Sequence, residues 1–141
     1  MGKTLELSEC GSCVCFTVRR AARAITQYYD RFLRPSGLRT TQFTLLAVLA
    51  QTGQITLNKA AERLGMERTT LTRNLRPLLV KRYITMSSGE DRRMRWIDIT
   101  DQGLTAVSKA LPYWRKAQRT ISEQLPPAAL KALNAVSRVS T

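Results

Sequence analysis

The chain contains no histidine. That removes the usual general base, the usual middle member of a nucleophilic triad and the commonest zinc ligand, so a hydrolase or a His-ligated metal site is hard to build from it. Acidic residues are scarce: 10 Asp and Glu stand against 23 Lys and Arg, a net charge of +13. Long apolar runs are missing. The longest, Phe43 to Ala50, is interrupted by Thr44 and falls far short of the roughly 20 residues a membrane helix needs. Glu6 and Glu9 break the stretch from Met1 to Cys10, where a secretion signal would carry its apolar core. Met1-Gly2 opens like a myristoylation site, but position 6 is Glu rather than Ser or Thr. A cytoplasmic location with no membrane partner is expected. The three cysteines, Cys10, Cys13 and Cys15, all lie early, and a disulfide staple is not expected in a reducing compartment.

What remains is an ordinary globular composition with an unusual charge. The 141 residues predict one domain spanning 1–141, and 43% hydrophobic against 23% charged residues argues against disorder. The charge is spread. Residues 1–39 hold 7 basic and 3 acidic side chains, residues 54–100 hold 10 and 5, and residues 101–141 hold 6 and 2. Residues 40–53 hold neither. An uncharged central element surrounded by basic surfaces, with no basic tail, repeat or low-complexity segment, points to a polyanion bound by folded surfaces.

Periodicity sets out the elements. Val14, Val18, Ala21, Ala22, Ile25, Tyr28, Tyr29 and Phe32 recur at helical spacing over residues 13–34, with Arg19, Arg20, Arg23, Gln27 and Arg31 on other faces. Pro35-Ser36-Gly37 ends that helix. The next runs to about Thr52, with Thr40 or Thr41 as its expected N-cap, and is apolar nearly all round, so it is buried. Thr56 caps a short helix with Leu57, Ala60, Ala61 and Leu64 inward, though Lys59 stands where a capping box wants Glu or Gln. Gly65 suits the left-handed turn that follows, and Leu71, Leu75, Leu78 and Leu79 face inward on a second helix that contains Pro77. Short helix, glycine turn, second helix is the helix-turn-helix pattern. Two β-prone runs, Tyr83–Met86 and Met94–Ile99, then form a hairpin, or wing. A helix over about 101–122, kinked at Pro112, and a last helix with Pro127 in its first turn complete the chain. The fold class expected is mainly α with a small β-hairpin wing: a winged helix-turn-helix flanked by N- and C-terminal helices.

Thr56–Leu64, Gly65, Arg68–Leu79, then Asp91-Arg92-Arg93 and Ile99-Thr100-Asp101-Gln102-Gly103, resemble the MarR family of winged-helix transcription regulators. The resemblance covers nearly the whole chain. It implies a homodimer with a DNA-binding lobe at 38–103 and dimerisation helices at 12–35 and 104–139, gripping pseudo-palindromic double-stranded DNA and most often repressing. The second helix of the motif would enter the major groove with Arg68, Thr69, Thr70, Thr72, Arg73 and Arg76. In the wing, Arg93 would enter the minor groove, Asp91 would brace the tip by an ion pair, and Arg92 and Arg95 would lie near phosphates. A narrow minor groove favours an inserted guanidinium, and a two-fold dimer sets two recognition helices roughly 34–36 Å apart.

The resemblance also implies an effector pocket between the first two helices and the lobe. Tyr28, Tyr29, Phe32 and Phe43 would line it, and Arg19 or Arg23 would pair an aromatic acid. Cys15-Phe16 resembles the reactive-cysteine position of the organic-peroxide-sensing branch. Tyr29 matches one of its tyrosines, while Arg19 and Thr40 stand at the other two. Three readings of the cysteines follow. They are buried or incidental small side chains. Or Cys13 and Cys15 are thiols activated by a helix N-terminus and by Arg19 and Arg20, acting as oxidation sensors. Or Cys10, Cys13 and Cys15 form a soft-metal site, open only if the helix starts after Cys13. No cofactor is expected. A cysteine-dependent enzyme would lack its histidine partner. The competing function is a non-specific architectural protein that contacts only the DNA backbone.

Overall fold

A computed structural model describes residues 6–139. The Met1-Gly2 start lies outside them. After a 3-10 turn at Ser8–Ser12, Cys13 is the N-cap of α1 (Val14–Leu33), and its Sγ accepts from the Phe16 amide at 3.5 Å. The chain turns at Gly37, φ 77°, into α2 (Thr40–Thr52). The N-cap of α2 is Arg39, one residue before the threonines expected there. Two side chains satisfy its first amides. Asp30 Oδ1 accepts from the Thr40 N–H at 2.7 Å, and Gln42 Oε1 from the Arg39 N–H at 3.0 Å. The carboxylate that starts α2 therefore comes from α1 and ties the two helices at their junction.

The uncharged α2 is the centre of the core. Phe43, Leu45, Leu46 and Leu49 are buried on it, packed with Leu33, Leu57, Leu71, Leu75, Leu78, Ile84 and Ile97. Phe43 also stacks on Trp114, ring centroids 5.8 Å apart. Among the described residues no charged or polar residue is buried, so each charged side chain among them reaches solvent at least in part.

Next come β1 (Ile55–Thr56), α3 (Leu57–Leu64), α4 (Arg68–Val80), β2 (Ile84–Ser88), β3 (Arg95–Ile99), α5 (Asp101–Gln124) and α6 (Ala129–Val136). The hairpin expected from the sequence is part of a three-stranded antiparallel sheet in the order β1-β3-β2, with Ile55 opposite Ile97 and Ile84 opposite Ile99. Strand β1 has only two residues, too few for an alternation to show. Neither Pro77 in α4 nor Pro112 in α5 ends its helix. Both are exposed, where water can satisfy the carbonyl left without its amide. Pro126 and Pro127 precede α6, whose N-cap is Ala128, so Pro127 is not in the first helical turn. Among the described residues no helix is long and apolar enough to cross a membrane.

Helices α1 and α5 pack side by side, with the Tyr29 hydroxyl donating to Gln118 Oε1 between them. Beside the middle of α1 and the C-terminal part of α5 runs an apolar groove of about 950 Å³, flanked by α6 and lined by Ala21, Ile25, Tyr29, Ile121, Leu130 and Leu133 among others.

Candidate nucleic-acid interface

The reading head is built by ordinary helix chemistry. Thr56 accepts from the Lys59 amide at 3.2 Å and starts α3, and Gly65, φ 63°, ends it. That left-handed residue returns its amide to Glu62 O at 3.1 Å, and Met66 bonds Ala61 O at 2.9 Å, the closure that lets α4 start two residues later at an angle to α3. Leu71, Leu75 and Leu78 anchor α4 in the core. Their burial aims the opposite face outward. Arg68, Thr69, Thr72, Arg73 and Arg76 are exposed, and Thr70 is half-buried at the margin. The Thr72 hydroxyl donates back to Arg68 O at 2.9 Å, leaving its oxygen lone pairs to face out. No acidic residue occurs in α4. Three guanidiniums and small hydroxyls on one exposed helix face suit phosphates and base edges.

The wing is a tight hairpin. Gly89 N–H donates to Met94 O at 3.1 Å, and Met94 N–H to Asp91 O at 2.9 Å. Asp91 Oδ1 accepts from the Arg93 backbone amide at 3.0 Å. The bracing carboxylate therefore grips the main chain, in place of the ion pair expected of it. This is the ordinary behaviour of a short acidic side chain two residues before an amide. Arg92 and Arg93 are exposed. Arg95 is also exposed, but it lies lower, on β3, with Nη1 3.4 Å from Met86 Sδ on the neighbouring strand.

Thr100 joins the foot of the wing to the helix that follows. Thr100 accepts from the Gly103 amide at 3.0 Å and donates to Arg82 O at 2.7 Å, and its own amide bonds Tyr83 O at 3.0 Å. This ties the start of α5 to the foot of the hairpin. Arg82, φ 60°, is the only non-glycine with positive φ among the described residues.

The cysteines and the pocket residues fall elsewhere. Cys10, Cys13 and Cys15 are all exposed, which corrects the buried form of that reading and leaves the incidental one. Although α1 does start after Cys13, among the described residues no three His, Cys, Asp or Glu side chains gather to hold a metal ion, so the three-thiolate cluster is not assembled. The Arg20 guanidinium lies over the Phe16 ring at 5.5 Å, and Arg19 and Arg23 are exposed. Tyr28 packs on Tyr29 and Phe32, and Phe43 is core. Of the six expected pocket residues only Tyr29 lines the apolar groove, which lies between α1, α5 and α6 rather than between α1 and α2. Burial, and secondarily Tyr28, raises the Tyr29 hydroxyl pKa above its ordinary value.

A helix-turn-helix with a three-stranded wing defines the molecule as a winged-helix DNA-reading protein. Comparison with known proteins makes the class more specific. The MarR family profile matches residues 36–94. The transcriptional regulator MosR of M. tuberculosis, solved in complex with DNA, is 40% identical with a TM-score of 0.83, the match covering 89% of this chain and 94% of that one. A second MosR structure is 37% identical, TM-score 0.80, covering 92% and 96%. The HTH-type transcriptional regulator YwoH of Bacillus subtilis is 27% identical over 60% of this chain, and the match spans 62% of that relative's length. The chain belongs to the MarR family of transcriptional regulators.

Proposed function

We propose that the protein is a sequence-specific repressor that binds a pseudo-palindromic operator as a homodimer in the cytoplasm. In this reading residues 38–103 are the DNA-binding lobe, and 12–35 and 104–139 are the dimerisation segments. The observation that carries it is the two-sidedness of α4: a buried leucine face opposite an exposed face holding Arg68, Arg73 and Arg76 and no acid. Arg68, Thr69, Thr70, Thr72, Arg73 and Arg76 read the major groove, Arg93 enters the minor groove, and Arg92 and Arg95 meet phosphates. The apolar groove and the exposed Leu130, Leu133 and Val136 of α6 support a partner chain seated there. MosR bound to DNA supports the same reading.

The three exposed thiols at the start of α1 support oxidation as the input that alters DNA affinity, with Cys15 the first residue to test. A small aromatic ligand is the alternative input. The test is fluorescence anisotropy on duplex DNA from upstream of the protein's own gene against random duplex, at fixed salt, reduced and mildly oxidised, with Cys15→Ser alongside. A specific regulator prefers the upstream duplex by a factor of about 10³ or more. Equal affinity for both duplexes returns the protein to the architectural class. Equal affinity in both redox states retires the thiol input and leaves the ligand.

A further inference from the structure

Helix α1 carries a charged surface that the reading head does not use. At about 100° per residue, Arg20, Arg23, Gln27, Arg31 and Arg34 fall on one line along the helix. Arg34 belongs to it because the C-cap keeps helical angles, φ −47° and ψ −45°. All five are exposed. The opposite side is the one α1 buries, with Val18 and Tyr29 half-buried and Leu33 fully so. The only acid in α1, Asp30, is off this line and is engaged by the Thr40 amide. The line thus presents four guanidiniums and no carboxylate over about 21 Å at 1.5 Å per residue. Two of the four are steadied by aromatic rings, Arg20 over Phe16 at 5.5 Å and Arg31 over Tyr28 at 5.8 Å. The principal neighbours of α1 are α5 and α2, and α2 separates it from the α3–α4 reading head.

We propose that this arginine line is a second duplex-DNA contact, gripping the phosphates of a segment other than the one held by α4 and the wing, so that one molecule joins two duplexes. The inference rests on the reading of the chain as a DNA-binding protein. Its partner is a phosphodiester strand because the four guanidiniums lie along one side of a rigid rod with no carboxylate among them, at axial steps of about 4.5, 12 and 4.5 Å, the long step bridged by the Gln27 amide. That suits an extended polyanion reaching along the helix, and a guanidinium fork fits a phosphate in two-point contact. Along a duplex axis each strand offers one phosphate per roughly 3.4 Å, so the line can meet several at once.

The experiment is a two-duplex capture assay. An upstream duplex is immobilised, the full-length protein is bound to it, and a fluorescent random-sequence duplex is added. The wild type should retain the second duplex. The four arginines are not among the α1 residues that line the apolar groove, which are Ala21, Ala24, Ile25 and Tyr29, so the R20Q/R23Q/R31Q/R34Q variant should sediment as wild type does, retain the second duplex at least tenfold less and hold the immobilised duplex as well as wild type. The two half-variants, R20Q/R23Q and R31Q/R34Q, should each show an intermediate loss, which guards against a folding defect in the full set. Capture undiminished in the full variant, or no capture by wild type that is bound to the first duplex, overturns the proposal. So does polyglutamate displacing the second duplex at charge-matched concentration as well as DNA does, since the line is then a site for acidic proteins. Wild type that fails to hold even the immobilised duplex fails the underlying DNA-binding reading, and this inference with it.

Discussion

Gly103 sits so close to Tyr83 that a Cβ built on it would lie 2.1 Å from the Tyr83 carbonyl oxygen and 2.8 Å from Ile99 Cγ1. The first turn of α5 is thereby pressed against the foot of β2, and Thr100 fastens the same corner through Arg82 and Tyr83. The wing is positioned from this corner. Its hairpin can hold an arginine at a fixed height only if its base does not move.

Gly103→Ala should therefore destabilise the fold. The clash is with backbone, which gives little, and overpacking of this kind costs about 1–3 kcal/mol. Thermal denaturation should show a lowered Tm, and DNA affinity at a temperature where the variant is still folded should fall as well. An unchanged Tm would mean that α5 can step back from the sheet without cost.

The wing itself gives a separable prediction. Arg93→Ala removes one exposed guanidinium. It should weaken DNA binding and flatten the dependence of log affinity on log salt by about 0.9 for each phosphate that Arg93 neutralises. Asp91→Ala leaves the charge of Arg93 in place but removes the acceptor of its amide. It should weaken binding while leaving the salt slope near that of wild type. The same flattening in both variants would show that Asp91 is needed to keep Arg93 on its phosphate, whereas tighter binding by Asp91→Ala would show that Asp91 acts through its negative charge and not on the tip's conformation.

Tyr29 provides a pH-dependent test of the α1–α5 joint. Burial, then Tyr28, raises its pKa in the folded state. A raised folded pKa means that its contribution is fully present below the ordinary tyrosine value of about 10 and is lost as pH rises through the folded value. Stability measured by urea titration should thus fall above about pH 10, and Tyr29→Phe should lessen that fall. At neutral pH the same variant should lose about 1 kcal/mol, the net worth of a typical hydrogen bond, because Gln118 loses its donor. An identical alkaline profile in the variant would assign the effect to other groups.

Local chemistry explains which features the sequence disclosed. Thr56, Gly65 and Thr100, in its bond to the Gly103 amide, act on amides or dihedrals within three residues of themselves, and each of these acts as its type and spacing imply. The leucine period of α4 likewise determines which arginines face out. What stayed hidden depends on distant partners. Strand β1 exists through its pairing with Ile97, the cap of α2 arrives from Asp30 on another helix, and Tyr29 finds Gln118 across the α1–α5 seam. Asp91 was legible as a brace, but a one-dimensional motif does not say whether a carboxylate takes a guanidinium or an amide. The α1 cysteines had both a buried and an exposed reading because their position beside the apolar stripe does not decide which side the core occupies.

The last test concerns the apolar surface left open by α6. Leu130, Leu133 and Val136 are 65%, 48% and 40% exposed, on a helix whose neighbours across the groove are also apolar. A charge at the centre of that face, Leu133→Asp, removes little from the core of the single chain, since the side chain is half in solvent already. In a dimer it would bury an unpaired carboxylate, which is strongly unfavourable. Sedimentation should show wild type as a dimer and the variant as a folded monomer with unchanged helical circular dichroism. DNA binding should then fall by about 10² or more, because each half-site is held without the second as a tether. A variant that stays dimeric and binds as wild type would place the dimer interface elsewhere and leave the groove without a partner chain.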